Sequence, residues 1–294
     1  MPMKIEFLAA DSFGTRSMAT YVEAEGVKIM IDPGVALSPN RFSLPPHPIE
    51  EKRRTECWER IVARTKEADL IIITHYHQDH FNPDHPEIFR GKDVWLKDNE
   101  SHINYHQKIR ADSLLEKIRS IAETIEIADG RDLNLGTTRI TFSPPLAHGR
   151  SEKLGFVISV AIEAGKTFLF TSDVQGMVLD EQADFVLKRE PETVYLDGPN
   201  TPMLGYKYFE EDLRRSLENI FRLIDQEYCR WLVIDHHLLR DPNWRSWLPR
   251  LPEKVVTAAS FSNKAEEQFE ALRRELYQDY PVEDVEKSGK FVER

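Results

Sequence analysis

Apolar residues recur along this 294-residue chain at two different periods. Near the N-terminus, "KIEFLAA" and "ATYVEAEGVKIMID" read as β-rich segments, with "EGV" as a turn inside the second. The proline-rich stretch 33–48 predicts a loop, and "IEEKRRTECWERIVARTKEA" after it has helical composition. "DLIIITH" is apolar, β-branched and abruptly polar at its end, which predicts a strand buried on both faces. Beyond it, "VWLK" reads as a strand and "ESHINYHQKIRADSLLEKIRSIAE" as one long helix or two short ones. "TIEIADG", "TTRITFSPP", "GFVISVAIEAG" and "KTFLFTSD" follow as strands. The last third alternates helix "LDEQADFVLKRE", strand "TVYLDG", helix "FEEDLRRSLENIFRLIDQEY" and strand "RWLVIDHH". Leu213, Leu217, Ile220, Phe221 and Ile224 fall on one face of that longer helix, a core-facing stripe.

Two β-rich blocks with helices predict two packed sheets with helices outside, in one domain over 1–294. An insert at about 33–68 and a helical extension at about 250–294 complete it. The insert is the expected specificity element covering the pocket; the helix-like "NKAEEQFEALRRELYQ" is expected to close the sandwich or to pair with another subunit.

A hydrophobic fraction of 40% suits an ordinary core, and nothing in the chain is laid out as a signal peptide or membrane span, so a cytoplasmic protein without membrane association is expected. The formal charge of −11 argues against nonspecific coating of phosphate backbones. A small substrate is the simpler expectation as partner, an anionic one being favoured only where bound metals offset the repulsion, with nucleic acid not excluded and the oligomeric state open. Cys57 and Cys229 are the only cysteines and form no C-x-x-C pair, so any metal must be held by nitrogen and oxygen.

The buried-strand pattern ends in "ITHYHQDHF". An H-x-H-x-D-H spacing in a chain with ten histidines arises by chance on the order of one time in a thousand. Side chains alternate in an extended segment, so His75, His77 and Asp79 can point one way, while a turn brings His80 beside Asp79. Two metals could share such a segment.

This segment resembles the metal-binding signature of the metallo-β-lactamase superfamily, and the other signature elements follow in order, each ending a predicted strand. Asp32 in "IMIDPG", His148 in "SPPLAHG", Asp173 in "FLFTSD" and a histidine of "VIDHH" match it. The resemblance covers the chain to about residue 240, and "RSMAT", "TSDVQG" and "LDGPN" look like a branch of predicted metal-dependent hydrolases. It implies an α+β fold, a four-layer αββα sandwich. It also implies that His75, His77 and His148 hold one metal, that Asp79, His80 and His236 (or His237) hold another, and that Asp173 bridges both. Asp79 and Asp173 are then the catalytic candidates, and Asp32 supports the ligands from behind. His236 is preferred because it follows its strand as His75 follows Thr74; His237 would support the site or contact substrate.

The donor set suits two divalent metal ions, zinc first, with manganese or iron also compatible. Two such ions a few ångströms apart activate a water and polarise the oxygen under attack, which predicts hydrolysis of a phosphodiester or another ester-type anion. An iron-dependent redox enzyme of the same fold and a non-catalytic metal-binding protein are the rival readings. Against the first, His77 stands where the flavodiiron type carries Glu.

Several further residues compete with blander roles. His102 and His106 are four apart, yet Ile103 stands where a metalloprotease needs Glu, so a surface helix face is expected. His85 could line the site or cap a loop, and His47 is expected to be structural. Asp197 and Arg240 end or follow strands on the catalytic edge, where a supporting or substrate-contacting role competes with helix or turn capping for Asp197 and with a solvated loop charge for Arg240. Arg150 and Lys153 could meet an anion, although solvated loop charges are the more common explanation. Trp244, Trp247 and the aromatics of "LGYKYF" are expected in the core, with a pocket wall as the alternative. Tyr76 and Gln78, between ligands, are expected to point away or behind the site.

Overall fold

In the computed structural model, which describes residues 3–282, the uninterrupted apolar run of "LIII" has a direct cause. Strand side chains alternate, and this strand is covered on both faces. Leu70 and Ile72 enter the core between the two sheets, whereas Ile71 and Ile73 enter the core beneath the helices. Burying each such side chain contributes about 1.5–3 kcal/mol, so the strand is held from both sides.

The first sheet contains β1 (Lys4–Phe7), β2 (Thr20–Ala24), β3 (Val27–Ile31), β4 (Leu70–Ile73), β5 (Asp93–Leu96) and β6 (Thr124–Ile127), in that order. Its first three strands are antiparallel, and β3 to β6 run parallel. The second sheet uses β7 (Asp132–Leu135), β8 (Thr138–Phe142), β11 (Val160–Glu163), β12 (Thr167–Phe170), β13 (Thr193–Asp197), β14 (Trp231–Asp235) and β15 (Val255–Val256). Its order is β15-β14-β13-β12-β11-β8-β7, parallel from β12 to β15 and antiparallel elsewhere. A short hairpin of β9 (Leu146–Ala147) and β10 (Phe156–Val157) stands apart.

Helices α1 (Pro48–Glu67) and α2 (Tyr105–Ile118) cover the outer face of the first sheet through residues such as Cys57, Ile61, Leu114 and Ile118. Helices α3 (Asp180–Leu187) and α4 (Glu210–Ile224) cover the second through Ala183, Val186, Ile220 and Leu223. Phe142, Phe168, Phe170 and Tyr195 meet Ile29, Leu70 and Trp95 between the sheets. The predicted αββα sandwich is the fold. In parallel strands all C-terminal ends share an edge, and here that edge gathers the residues following β3, β4, β12, β13 and β14.

Three expectations need correction. The stretch 33–68 is not one covering insert: α1 belongs to the outer helix layer, and only Ala36, Leu37 and Pro39 of the preceding loop line the cavity described below. Of the helix predicted over 263–278 only the last part forms, as α6 (Arg273–Asp279), because the chain between it and the short α5 (Ala258–Phe261) is irregular; the end of the extension lies outside the described residues. His102 and His106 do not share a helix, since the Asn104 side chain accepts from Gln107 N at 2.9 Å and caps α2 after His102, which has a left-handed φ of 48°. No helix among the described residues is long and apolar enough to cross a membrane.

Candidate metal centre

Strand β4 stops because Thr74 turns its hydrogen bonds onto Asp32. Asp32 Oδ1 accepts from Thr74 N at 2.7 Å, and Oδ2 accepts from Thr74 Oγ1 at 2.5 Å. His75 follows, fully buried, and a turn closed by His80 N donating to His77 O at 3.0 Å brings His80 back over the strand end. Tyr76 points the other way, its hydroxyl donating to Lys97 O. Gln78 faces the cavity, a departure from the expectation that it points away.

Asp173, just past β12, is the centre of the arrangement. Its Oδ2 lies 3.0 Å from His148 Nε2 and 3.5 Å from His75 Nε2, and its Oδ1 lies 3.1 Å from His80 Nε2 and 3.4 Å from His236 Nε2. His75 Nε2 is also 3.1 Å from His77 Nδ1, and His236 Nε2 is 3.8 Å from Asp79 Oδ2. Four overlapping groups of donor atoms among the described residues are compact enough to hold a cation; two of them, His75, His77, His148 and Asp173, and Asp79, His80 and His236, share no residue, while the others join Asp32, His75 and His80, and Asp173, His236 and His237. The buried His80 Nε2 and Asp173 Oδ1 have no hydrogen-bond partner of acceptable geometry. Orphaned nitrogen and oxygen converging in this way fit a divalent cation, and the donor set has no thiolate.

Carboxylates behind the histidines decide which ring nitrogen faces inward. Asp32 Oδ2 takes the Nδ1 proton of His80 at 2.7 Å, and Asp11 Oδ2 takes that of His236 at 2.8 Å, so both Nε2 atoms are aimed at Asp173. Asp197 Oδ1 accepts from His237 Nδ1 at 2.9 Å and from His237 N at 3.1 Å, while its Oδ2 accepts from Gln175 N at 2.8 Å. His237 lines the cavity and groups with Asp173 and His236, whereas His236 also groups with Asp79 and His80. Arg240 Nε donates to Asp11 Oδ1 at 2.8 Å and sits against the His236 ring. Asp32, Ser172 and His236 all have left-handed φ values, of 49°, 57° and 60°, a strain sustained by these contacts.

Sequence reasoning missed Asp11, Ser172 and Asp235. Ser172 Oγ bridges Thr74 Oγ1 at 2.6 Å and His75 Nδ1 at 3.3 Å. Asp235 ties the ends of the chain together, accepting from Ser12 N and Ala258 N, each at 3.0 Å. The available signal was a polar residue directly after an apolar run, which "LAAD", "FLFTS" and "VID" all carry.

Burial, reinforced by charge on His80, lowers the His75 pKa to about 4, and burial beside His75 lowers His77 to about 2. Burial also disfavours charge on His80 and His236, but Asp173 outweighs it, holding His80 well above its ordinary value and His236 at about 10. Burial opposes ionisation of Asp173, yet His80 and His236 keep it well below the usual carboxylate range. Asp197 is pushed up to about 7 by burial and by Asp173. In the metal-free protein, protons on His80 and His236 thus supply the positive charge that a cation would otherwise bring.

The cluster opens into a cavity of about 960 Å³. Six basic residues line it against the two acidic ones, Asp79 and Asp173, in a chain with 39 basic and 50 acidic residues. Arg150, Lys153 and Arg240 are among the six, and Tyr206 and Phe209 of "LGYKYF" join the wall. Trp244 is instead in the core. His85 pairs with Glu87 at 2.8 Å, and His47 caps α1, so neither reaches the site.

A β-lactamase superfamily domain profile matches residues 28–189. The chain is 48% identical over 293 residues to the UPF0282 protein of Korarchaeum cryptofilum, an alignment covering 97% of each. Its fold is similar to that of a possible metal-dependent hydrolase from Veillonella parvula, with a TM-score of 0.52 at 11% identity, covering 87% of this chain and 95% of that one. It is also similar to an isothiocyanate hydrolase from Delia radicum gut bacteria, with a TM-score of 0.51 at 17% identity, covering 83% and 94%.

Proposed function

Since the chain belongs to the UPF0282 family and to the metallo-β-lactamase superfamily, we propose that it is a metal-dependent hydrolase of an anionic ester, with a phosphodiester as the leading substrate class. The observation that carries this reading is the Asp173 carboxylate, whose two oxygens face separate sets of histidine nitrogens. His75, His77 and His148 would hold one ion, Asp79, His80 and His236 a second, and Asp173 both. Zinc is the first choice for a site of imidazole and carboxylate, with manganese and iron compatible. Bound divalent cations supply an activated water and neutralise charge on the substrate oxygens.

The chain's own side chains do the rest. Asp32 and Asp11 hold the Nδ1 protons of His80 and His236, which aims each Nε2 inward as the nitrogen that would exchange its proton for a cation. Asp197 holds His237 by Nδ1, which leaves Nε2 to hydrogen-bond the substrate or its leaving group. The excess of basic over acidic side chains along the cavity supports an anionic substrate, against the net charge of the protein. The isothiocyanate and possible metal-dependent hydrolases that share the fold are consistent with water as the attacking group.

The test is elemental analysis of protein purified without added metal, followed by a screen of phosphodiesters, lactones and thioesters. Asp173→Ala is expected to lose bound metal and hydrolysis together. Hydrolysis retained in that variant sinks the two-metal reading.

A further inference from the structure

The basic residues of the cavity fall into two kinds. Arg16, Arg150 and Arg240 each have a carboxylate partner: Glu270 at 2.5 Å, Asp212 at 3.3 Å and Asp11 at 2.8 Å. Arg110, Lys153 and Lys207 have none within 4.0 Å among the described residues. Neighbouring cations on or next to the same elements do have such partners. Lys108, on the same helix as Arg110, lies 2.8 Å from Glu100, and Arg214 on α4 pairs with both Glu211 and Glu218.

The three unpaired cations share one continuous wall. Gln107 Nε2 of α2 donates to Leu154 O at 2.7 Å, fastening the turn that carries Lys153 to the helix that carries Arg110. Arg110 itself donates to Tyr76 O at 3.4 Å, which sets it beside His77. The Arg150 guanidinium stacks 4.6 Å from the Phe209 ring, joining that turn to the segment bearing Lys207. Between the cations, Leu154, Tyr206 and Phe209 expose apolar surface to the extent of 43%, 71% and 44%. Clustered positive charge without counter-charge is self-repelling, and an anionic ligand offsets that cost. Exposed rings interleaved with cations suit a planar group next to phosphate.

We propose that Arg110, Lys153 and Lys207 form an anion-binding subsite apart from the metal-ligating cluster, so that the substrate carries a second phosphate on a ring-containing, nucleotide-like body. The subsite rests on the hydrolase reading only in calling its ligand a substrate.

Zinc-loaded full-length protein is titrated calorimetrically with adenosine 3′,5′-bisphosphate and with adenosine 5′-monophosphate. The bisphosphate is expected to bind about tenfold tighter or more, and the ratio is expected to fall to about one in the Arg110→Ala/Lys153→Ala/Lys207→Ala variant. Equal affinities in the unaltered protein, or a preference that survives the triple substitution, overturn the subsite. Hydrolysis of bis(p-nitrophenyl) phosphate by the unaltered protein separates the two readings. Turnover with equal affinities overturns the subsite alone, whereas a bisphosphate preference without turnover of any phosphodiester upholds the subsite and overturns the hydrolase reading.

Discussion

Asp11 Oδ2 lies 2.8 Å from His236 Nδ1, across 225 positions of sequence, and Asp11 Oδ1 lies 2.8 Å from Arg240 Nε. One buried carboxylate thereby orients a candidate ligand and neutralises a buried guanidinium. Replacing Asp11 by Ala should weaken metal binding at the Asp79, His80 and His236 set by about 10–100-fold. It should also cost up to about 3–5 kcal/mol of stability, because the buried Arg240 then keeps only the more distant Asp79 carboxylate, 3.6 Å away. Zinc titration and denaturant unfolding of the variant check both; unchanged zinc stoichiometry and affinity would dismiss the orienting role.

The adjacent histidines should separate by phenotype. His236→Ala is expected to lower metal content. His237→Ala is expected to keep the metal and lose about 10²-fold or more of turnover, as expected for a group that hydrogen-bonds the reacting substrate. Metal analysis beside kinetics on the same preparations decides the assignment. The reverse pattern would exchange the two roles.

Metal loading should depend on pH unequally. His80 is held well above its ordinary value and His236 at about 10, so both carry protons near neutrality in the metal-free protein. Loading their set must release those protons, about two per ion, and weakens as pH falls. His75 and His77, lowered to about 4 and about 2, are already neutral there and release none. The stability of the metal-free protein follows the same signs. His236 contributes stability that is complete below about 6.5 and is lost as pH rises through about 10, and His80 acts in the same direction; His75 contributes stability lost as pH falls below about 6.5 through about 4, with the loss from His77 continuing to about 2. Calorimetry in buffers of different ionisation enthalpy counts the protons, and proton-free loading of both sets would contradict the scheme.

A Cβ at Gly34 would overlap the backbone of His80 and Phe81. Gly34→Ala should therefore shift the turn that carries His80, costing about 1–3 kcal/mol and part of the metal affinity. Thermal unfolding with and without zinc measures it, and a variant with full zinc binding would show that the turn can yield.

The cavity's loop wall hangs on one buried ion pair. Arg273 donates to Glu50 through Nε and Nη2, each at 2.8 Å, and to Ser38 O and Leu44 O at 3.0 Å. Glu50→Ala should destabilise the protein by about 3–5 kcal/mol and loosen the segment bearing Leu37 and Pro39. The expected kinetic signature is a raised KM, measured once a substrate is found. Substitution within "RFSLPP" without effect on that KM would remove the loop from substrate recognition.

The sequence by itself determined the layers and the ligand types. Alternation and apolar runs depend on residues a few positions apart, so β4, the stripe on α4 and the polar ends after Ile73, Phe170 and Ile234 were legible, and with them the donors at 75–80, Asp173 and "DHH". Only the tertiary structure decided the rest. Which carboxylate orients each ring of the His236–His237 pair, Asp11 for the first and Asp197 for the second, rests on pairings 225 and 40 positions apart that no local period records. The basic cavity wall is of the same kind, assembled from Arg110, Lys153 and Lys207 on three segments whose charges look like ordinary surface until the sheets bring them together.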